Sequence, residues 1–218
     1  MSYILNIETS TKNCSVSIGL EGKLIAYHEI NTGAYSHAEK LHVFIQGVIK
    51  QSRITPNDLS AVAVAKGPGS YTGLRIGVSA AKGICFGLGI PLISIESLEV
   101  LARGVAIDKG VIIPVLDARR DEVYSAVFDR DYSKIRETRA EILSPDSFTS
   151  FLSNGKVRLV GDAVEKCASI IGNNTNMVYE VLTFPSSKHM VRSSYQKYID
   201  KNFEDLAYFE PYYLKEFV

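Results

Sequence analysis

The sequence has no surplus of either charge: Lys plus Arg and Asp plus Glu number 24 each among 218 residues. A chain that grips a nucleic-acid backbone alone carries excess cations to displace counterions, so any such role here must be shared with another molecule. Cysteine is scarce. Cys14, Cys85 and Cys167 stand 71 and 82 positions apart with no Cys-x-x-Cys pair. That spacing excludes a cysteine zinc site or redox dithiol and reads as buried apolar thiols in a reducing compartment. Long apolar runs are missing too. No uncharged stretch is longer than Gly83 to Ile95, which has 13 residues and includes Pro91, short of the roughly 20 that span a bilayer. Met1-Ser2 leads straight into a strand-like Tyr3 to Ile7 with no basic segment or signal core, so a cytoplasmic, membrane-free protein is expected.

Apolar residues make up 46% and charged residues 22%, near globular averages, and the length falls between one and two typical domains. A repeat decides between them. Tyr3 to Ile7, Ser15 to Leu20 and Leu24 to Ile30 read as three strands, the first two joined by turn chemistry at Glu8-Thr9-Ser10-Thr11-Lys12-Asn13. A helix is expected from Ser36 to Ser52, with Leu41, Phe44, Ile45 and Val48 as its core stripe. Ala61 to Ala65 is continuously apolar, as a strand covered on both faces should be, and a second helix follows Gly67-Pro68-Gly69. The order restarts after Asp108-Lys109-Gly110. Val111 to Leu116, Glu122 to Phe128 and Ile135 to Ile142 give three strands, a helix opens at Ser144-Pro145-Asp146, and Val157 to Gly161 is the covered strand. Glu8 and Asp117, which end the first strand of each half, lie 109 positions apart, half the chain length. Duplicated units of this order predict an α/β, ribonuclease-H-like, two-lobed fold of the actin and sugar-kinase group, mixed sheets with helices on their faces. The expected lobes are 1–106 and 107–218, with the final tail able to pack back on the first.

Reactive chemistry finds little support. His37 and His42, at i and i+5, diverge by about 140° on a helix and read as exposed or capping groups rather than ligands to one metal. Ser79-Ala80-Ala81-Lys82 matches a Ser-x-x-Lys nucleophile, yet no Ser-Asp-Asn or Lys-Thr-Gly run completes such a site. The loop Gly67 to Gly73 lacks the Gly-Lys-Ser/Thr ending of a phosphate loop and the Gly-x-Gly-x-x-Gly spacing of a dinucleotide turn, so it reads as a tight strand-to-helix turn with Thr72 near the cap. A phosphotransferase of this fold needs a glycine-bearing hairpin in each lobe for the phosphates. Glu8 to Thr11 lacks the glycine, and Asp117-Ala118-Arg119-Arg120-Asp121-Glu122 is bulky and charged. Its three acids suggest nuclease carboxylates less well than a structural network pairing with Arg119 or Arg120. No catalytic, cofactor or metal residue is assigned.

The helix from Thr72 to Leu88 carries the positive signal. Arg75, Ser79 and Lys82 cluster within about 60° and apolar residues fill the rest, more than one sheet covers. Gly73, Gly77 and Ala81 recur every four residues and would let another helix approach. The neighbouring helix adds Val43 and Gly47. Val43, Gly47, Gly77, Val78, Lys82 and Phe86 are therefore the candidate partner-interface residues, in a four-helix contact open to a second copy or a relative.

Tyr3 to Thr11, GPGSYTGLRIGVSAAKG from Gly67 to Gly83, and IPVLDARRDEVY from Ile113 to Tyr124 resemble the TsaB (YeaZ) family, and the likeness runs to Pro211-Tyr212-Tyr213-Leu214-Lys215. Glu8 stands where the family usually has aspartate, Ala163 follows Gly161-Asp162 where a further glycine is common, and Lys215 replaces an arginine. The resemblance implies a noncatalytic dimerization subunit in the making of threonylcarbamoyladenosine at position 37 of tRNAs that read codons beginning with adenine. It also implies a catalytic paralogue, TsaD, a small ATPase, TsaE, homodimerization when alone, and tRNA reached only through the complex. Aligned on a shared proline, Ser97 and Leu101 occupy the positions of the paralogue's two metal-binding histidines, and a leucine cannot bind a metal. The alternative is a stand-alone phosphotransferase of the actin and sugar-kinase group, or a peptidase.

Overall fold

The computed structural model describes residues 1–31, 37–181 and 183–215. In chain order the elements are β1 (Tyr3–Glu8), β2 (Cys14–Leu20), β3 (Lys23–Ile30), α1 (His37–Gln51), β4 (Leu59–Gly67), α2 (Tyr71–Leu88), β5 (Leu92–Glu96), α3 (Ser97–Ala102), β6 (Val111–Asp117), β7 (Glu122–Phe128), β8 (Lys134–Ile142), β9 (Val157–Val160), α4 (Val164–Ile171), β10 (Met177–Glu180) and α5 (Val191–Ile199). The expected helix start at Ser36 lies outside the described residues. The first sheet has the order β3-β2-β1-β4-β5 and the second, read from its other edge, β8-β7-β6-β9-β10. In both, three antiparallel strands are followed by two parallel ones. This shared order is the duplicated ribonuclease-H-like plan.

The chain forms two compact units, Met1–Val100 with Pro185–Tyr212, and Leu101–Phe184 with the segment that begins at Tyr213. The sequence reading had placed a single cut between 106 and 107. In the first unit, alternation along the strands sends Leu5, Ile7, Val62 and Val64 to one side of the sheet, where Leu41, Ile45 and Val48 of α1 and Val78, Ala81 and Cys85 of α2 cover them. Ile4, Ala61, Ala63, Ile93 and Ile95 point the other way, and Met190 with Tyr195 and Tyr198 of α5 covers that side. A helix more than 80 residues downstream thus completes the first sheet's core. In the second unit one face of the sheet gathers Ile113, Val115, Val123, Leu159, Val164 and Cys167.

The helix expected at Ser144-Pro145-Asp146 does not form. The Ser144 N–H donates to Ser147 Oγ at 2.9 Å, Thr149 Oγ1 donates to the Asp146 carbonyl at 2.7 Å, and Phe148 turns into the left-handed region at φ 65° before a 3-10 turn over Thr149–Asn154. Burying the Phe148 ring in the core stabilises this path over a helical one. All three cysteines are free and buried, and burial pushes their thiols up, to about 12 for Cys14 and Cys167 and about 11 for Cys85.

Candidate partner interface

The turn between β1 and β2 is enclosed. Glu8, Thr9, Ser10, Thr11 and Asn13 are all buried, because the start of α2 packs directly on them. A β-carbon added at Gly73 or Gly77 would strike the Thr9 carbonyl or hydroxyl respectively, and Thr9 Oγ1 donates to the Gly73 carbonyl at 2.8 Å. The absence of side chains there permits the approach. The Ser10 N–H donates to Glu8 Oε1 at 2.6 Å, while the Ser70 N–H donates to the Ser10 carbonyl, also at 2.6 Å. Among the described residues Glu8 Oε2 has no hydrogen-bond partner, and burial raises the carboxyl to about 7 from 4.5. His37, expected to be exposed or capping, is buried instead, its Nε2 donating to the Thr11 carbonyl at 2.7 Å.

The matching turn in the second unit is open and charged, and its acids do not pair as expected. Asp117 is ion-paired with Lys166, and Glu122 with Lys215, rather than either with Arg119 or Arg120. The Asp117 N–H donates to Asp162 Oδ1 at 2.9 Å. Arg119 and Arg120, at φ 70° and 48°, both sit in the left-handed region at the tip. Among the described residues no three His, Cys, Asp or Glu side chains are grouped to hold a metal, and no helix is long and apolar enough to cross a membrane. Ser97 and Leu101 lie on α3, both buried.

The face of α1 and α2 away from the sheet sorts the six candidate residues. Val43 is 60% exposed and Phe86 84%. Gly77 and Val78 are buried, and this corrects their expected place on the surface: Gly77 lies against Thr9, and Val78 is part of the core beneath α2. The repeat of Gly73, Gly77 and Ala81 serves packing within the unit, not the approach of a foreign helix. A β-carbon on Gly47 would meet the His28 ring at 3.3 Å, so Gly47 faces β3. Lys82 turns to the tail and donates to the carbonyls of Ala207 and Phe209 at 3.1 and 3.0 Å. Ser70, not Thr72, caps α2, its Oγ accepting from the Gly73 N–H at 3.3 Å.

Between the two helices runs an open groove of about 650 Å³, lined by Ala38 and His42 from α1 and by Arg75, Ile76, Ser79, Ala80, Gly83 and Ile84 from α2. These are the positions the sequence reading missed. The signal was present: at 100° per residue, the exposed positions Thr72, Arg75, Ser79, Gly83, Phe86 and Gly87 fall in an arc of roughly 120°. The polar stripe marks the outward side of the helix, and the half-buried Ile76, Ala80 and Ile84 flank it.

Residues 31–215 match the family model described as TsaD, tRNA N6-adenosine threonylcarbamoyltransferase. The chain is 29% identical to the tRNA threonylcarbamoyladenosine biosynthesis protein TsaB of Escherichia coli (strain K12), over 97% of this chain and 94% of that one. It is 38% identical to TsaB of Bacillus subtilis (strain 168), over 57% of this chain and 54% of that one. YeaZ from Pseudomonas aeruginosa shares the fold, with a TM-score of 0.84 at 21% identity, covering 98% of this chain and 100% of that one. With the family model matched along most of its length and TsaB relatives along nearly all of it, the chain belongs to the threonylcarbamoyltransferase (TsaD) family and, within it, to TsaB (YeaZ).

Proposed function

We propose that this chain is the noncatalytic partner subunit needed to form threonylcarbamoyladenosine at position 37 of tRNAs that read codons beginning with adenine, and that it binds and stabilises the catalytic paralogue TsaD in the cytoplasm. TsaE is the further partner, and tRNA is met through the complex. The observation that carries this reading is the outward face of α1 and α2: a groove with a largely apolar lining beside Phe86 and Val43, both well exposed. A bulky aromatic so exposed beside an apolar groove favours burial by another protein. The same face would join two copies, more weakly, when the chain is alone. Two features of the hairpins support a role without phosphate chemistry of its own. The first is enclosed by α2, with the Ser10 N–H taken by Glu8, and the second has no glycine, so that side chains crowd the tip where backbone N–H groups would have to approach a phosphate. The paralogue supplies the chemistry, and this chain acts on it only by binding its active form more tightly than its inactive one.

Reconstitution with an unmodified tRNA transcript, TsaD, TsaE and substrates tests the proposal. Modified nucleoside is expected only when this chain is added. Product formed at the same rate without it, or formed by this chain alone, would overturn the proposal.

A further inference from the structure

On the reading that the α1–α2 face binds a partner, we infer that Arg75 is its specificity determinant and that the docked surface is an apolar helix of a different chain carrying a carboxylate opposite it. Arg75 is exposed at one end of the groove, with its guanidinium over the Tyr71 ring, 4.6 Å from the centroid. Stacking fixes the plane of the guanidinium and leaves its edge N–H groups free to meet a carboxylate in a two-pronged contact. Among the described residues no carboxylate is paired with it. The rest of the lining is nearly apolar. A partner that fills the groove strips water from Arg75, and a guanidinium buried without an anion is strongly unfavourable, so the partner surface must bring one.

Charge decides which partner. Together α1 and α2 carry Lys40, Lys50, Arg75 and Lys82 against a single acid, Glu39. Lys82 is already engaged with the carbonyls of Ala207 and Phe209. Two copies joined through this face would therefore set cations against cations with one acid each to relieve them. An apolar helix of another protein that carries a carboxylate complements it better, in steering the encounter as well as in the final contact.

Isothermal titration of the full chain with TsaD from the same cell, at low and high salt, tests the inference. Arg75→Gln is expected to weaken binding by about tenfold to a hundredfold and to reduce its salt dependence. Arg75→Lys should restore only part of the affinity, because an ammonium lacks the two-pronged geometry. Phe86→Asp serves as the control for the face itself. If it abolishes binding while Arg75→Gln binds as the native chain does, the face stands and the carboxylate pairing falls. If Phe86→Asp also binds normally, the face is wrong and the inference falls with it. Sedimentation of the chain alone covers the remaining case: if Arg75→Gln disrupts self-association and leaves TsaD binding intact, the carboxylate is Glu39 of a second copy, and the assignment to a different chain is overturned.

Discussion

Glu8 is a carboxyl group with nowhere to place a charge. Burial raises it to about 7, and among the described residues only one of its oxygens is hydrogen-bonded. The folded chain therefore holds this proton more tightly than the unfolded chain, whose carboxyl titrates near 4.5. Below pH 4.5 both states are protonated and the full contribution to stability is present. It is lost as pH rises from 4.5 to about 7 and is constant above that, a change of about 3 kcal/mol. Glu8→Gln removes the titration. Denaturant unfolding of both proteins should show the variant gaining about that much relative to the native chain between pH 5 and pH 8, and a difference that does not change with pH refutes the assignment. Arg119 and Arg120 carry a different burden, since side chains in the left-handed region crowd the following carbonyl. Arg120→Gly should stabilise the hairpin by up to about 1 kcal/mol and raise the melting temperature. An unchanged or lower melting temperature would show that the tip is not strained. The partners of the acids beside them were not legible in the sequence. Lys166 and Lys215 lie 49 and 93 positions from the acids they meet, and local pattern carries no information at that range.

Helix α2 shows how one element divides its duties. Its inner arc of Gly73, Gly77, Val78, Ala81 and Cys85 closes over the β1–β2 turn and the sheet, while its outer arc carries Arg75, Ser79 and Phe86. Composition alone made both arcs look like docking surfaces, because small residues at four-residue spacing suit a close approach from either side. What they approach is the Thr9 carbonyl and hydroxyl, a contact between segments some 65 residues apart that helical spacing cannot reveal. Gly77→Ala should therefore destabilise the fold by about 1–3 kcal/mol, through the collision with Thr9. Equilibrium denaturation reads this directly, and an unchanged midpoint would mean that the turn can retreat. Phe86→Asp, on the outer arc, should leave that midpoint within about 0.5 kcal/mol of the native value. The sequence located both ends of α1 and α2 to within a residue or two where they are described, because each has a clear stripe. It failed at Ser144-Pro145-Asp146, where the same residues suit a helical first turn or a plain turn, and the burial of Phe148 decides.

Across the whole molecule, the repeat of strand order was readable because each half restarts with an apolar strand ending in an acid. The assignment of α5 to the first unit was not. That helix buries Val191, Ser193 and Ser194 and packs with Tyr195 and Tyr198, so it has little aliphatic stripe to announce its core face. Past it, Glu204 bonds to Leu92 on the edge of the sheet, Leu206 and Phe209 pack on the core, and the Tyr212 N–H donates to the Lys66 carbonyl at 2.7 Å. A chain cut after Phe184 should leave Ile4, Ile93 and Ile95 uncovered, bind the dye ANS and lose its near-ultraviolet tyrosine dichroism. Native-like dichroism without dye binding would show that α5 is dispensable. The same arrangement orders events on the ribosome. After residue 100 is made, about 85 more must follow before the cover for one side of the first sheet begins to emerge, a wait on the order of ten seconds at ordinary elongation rates. The nascent protein spends that interval with one oily sheet surface bare, which makes it a client for chaperones at the exit tunnel until α5 emerges.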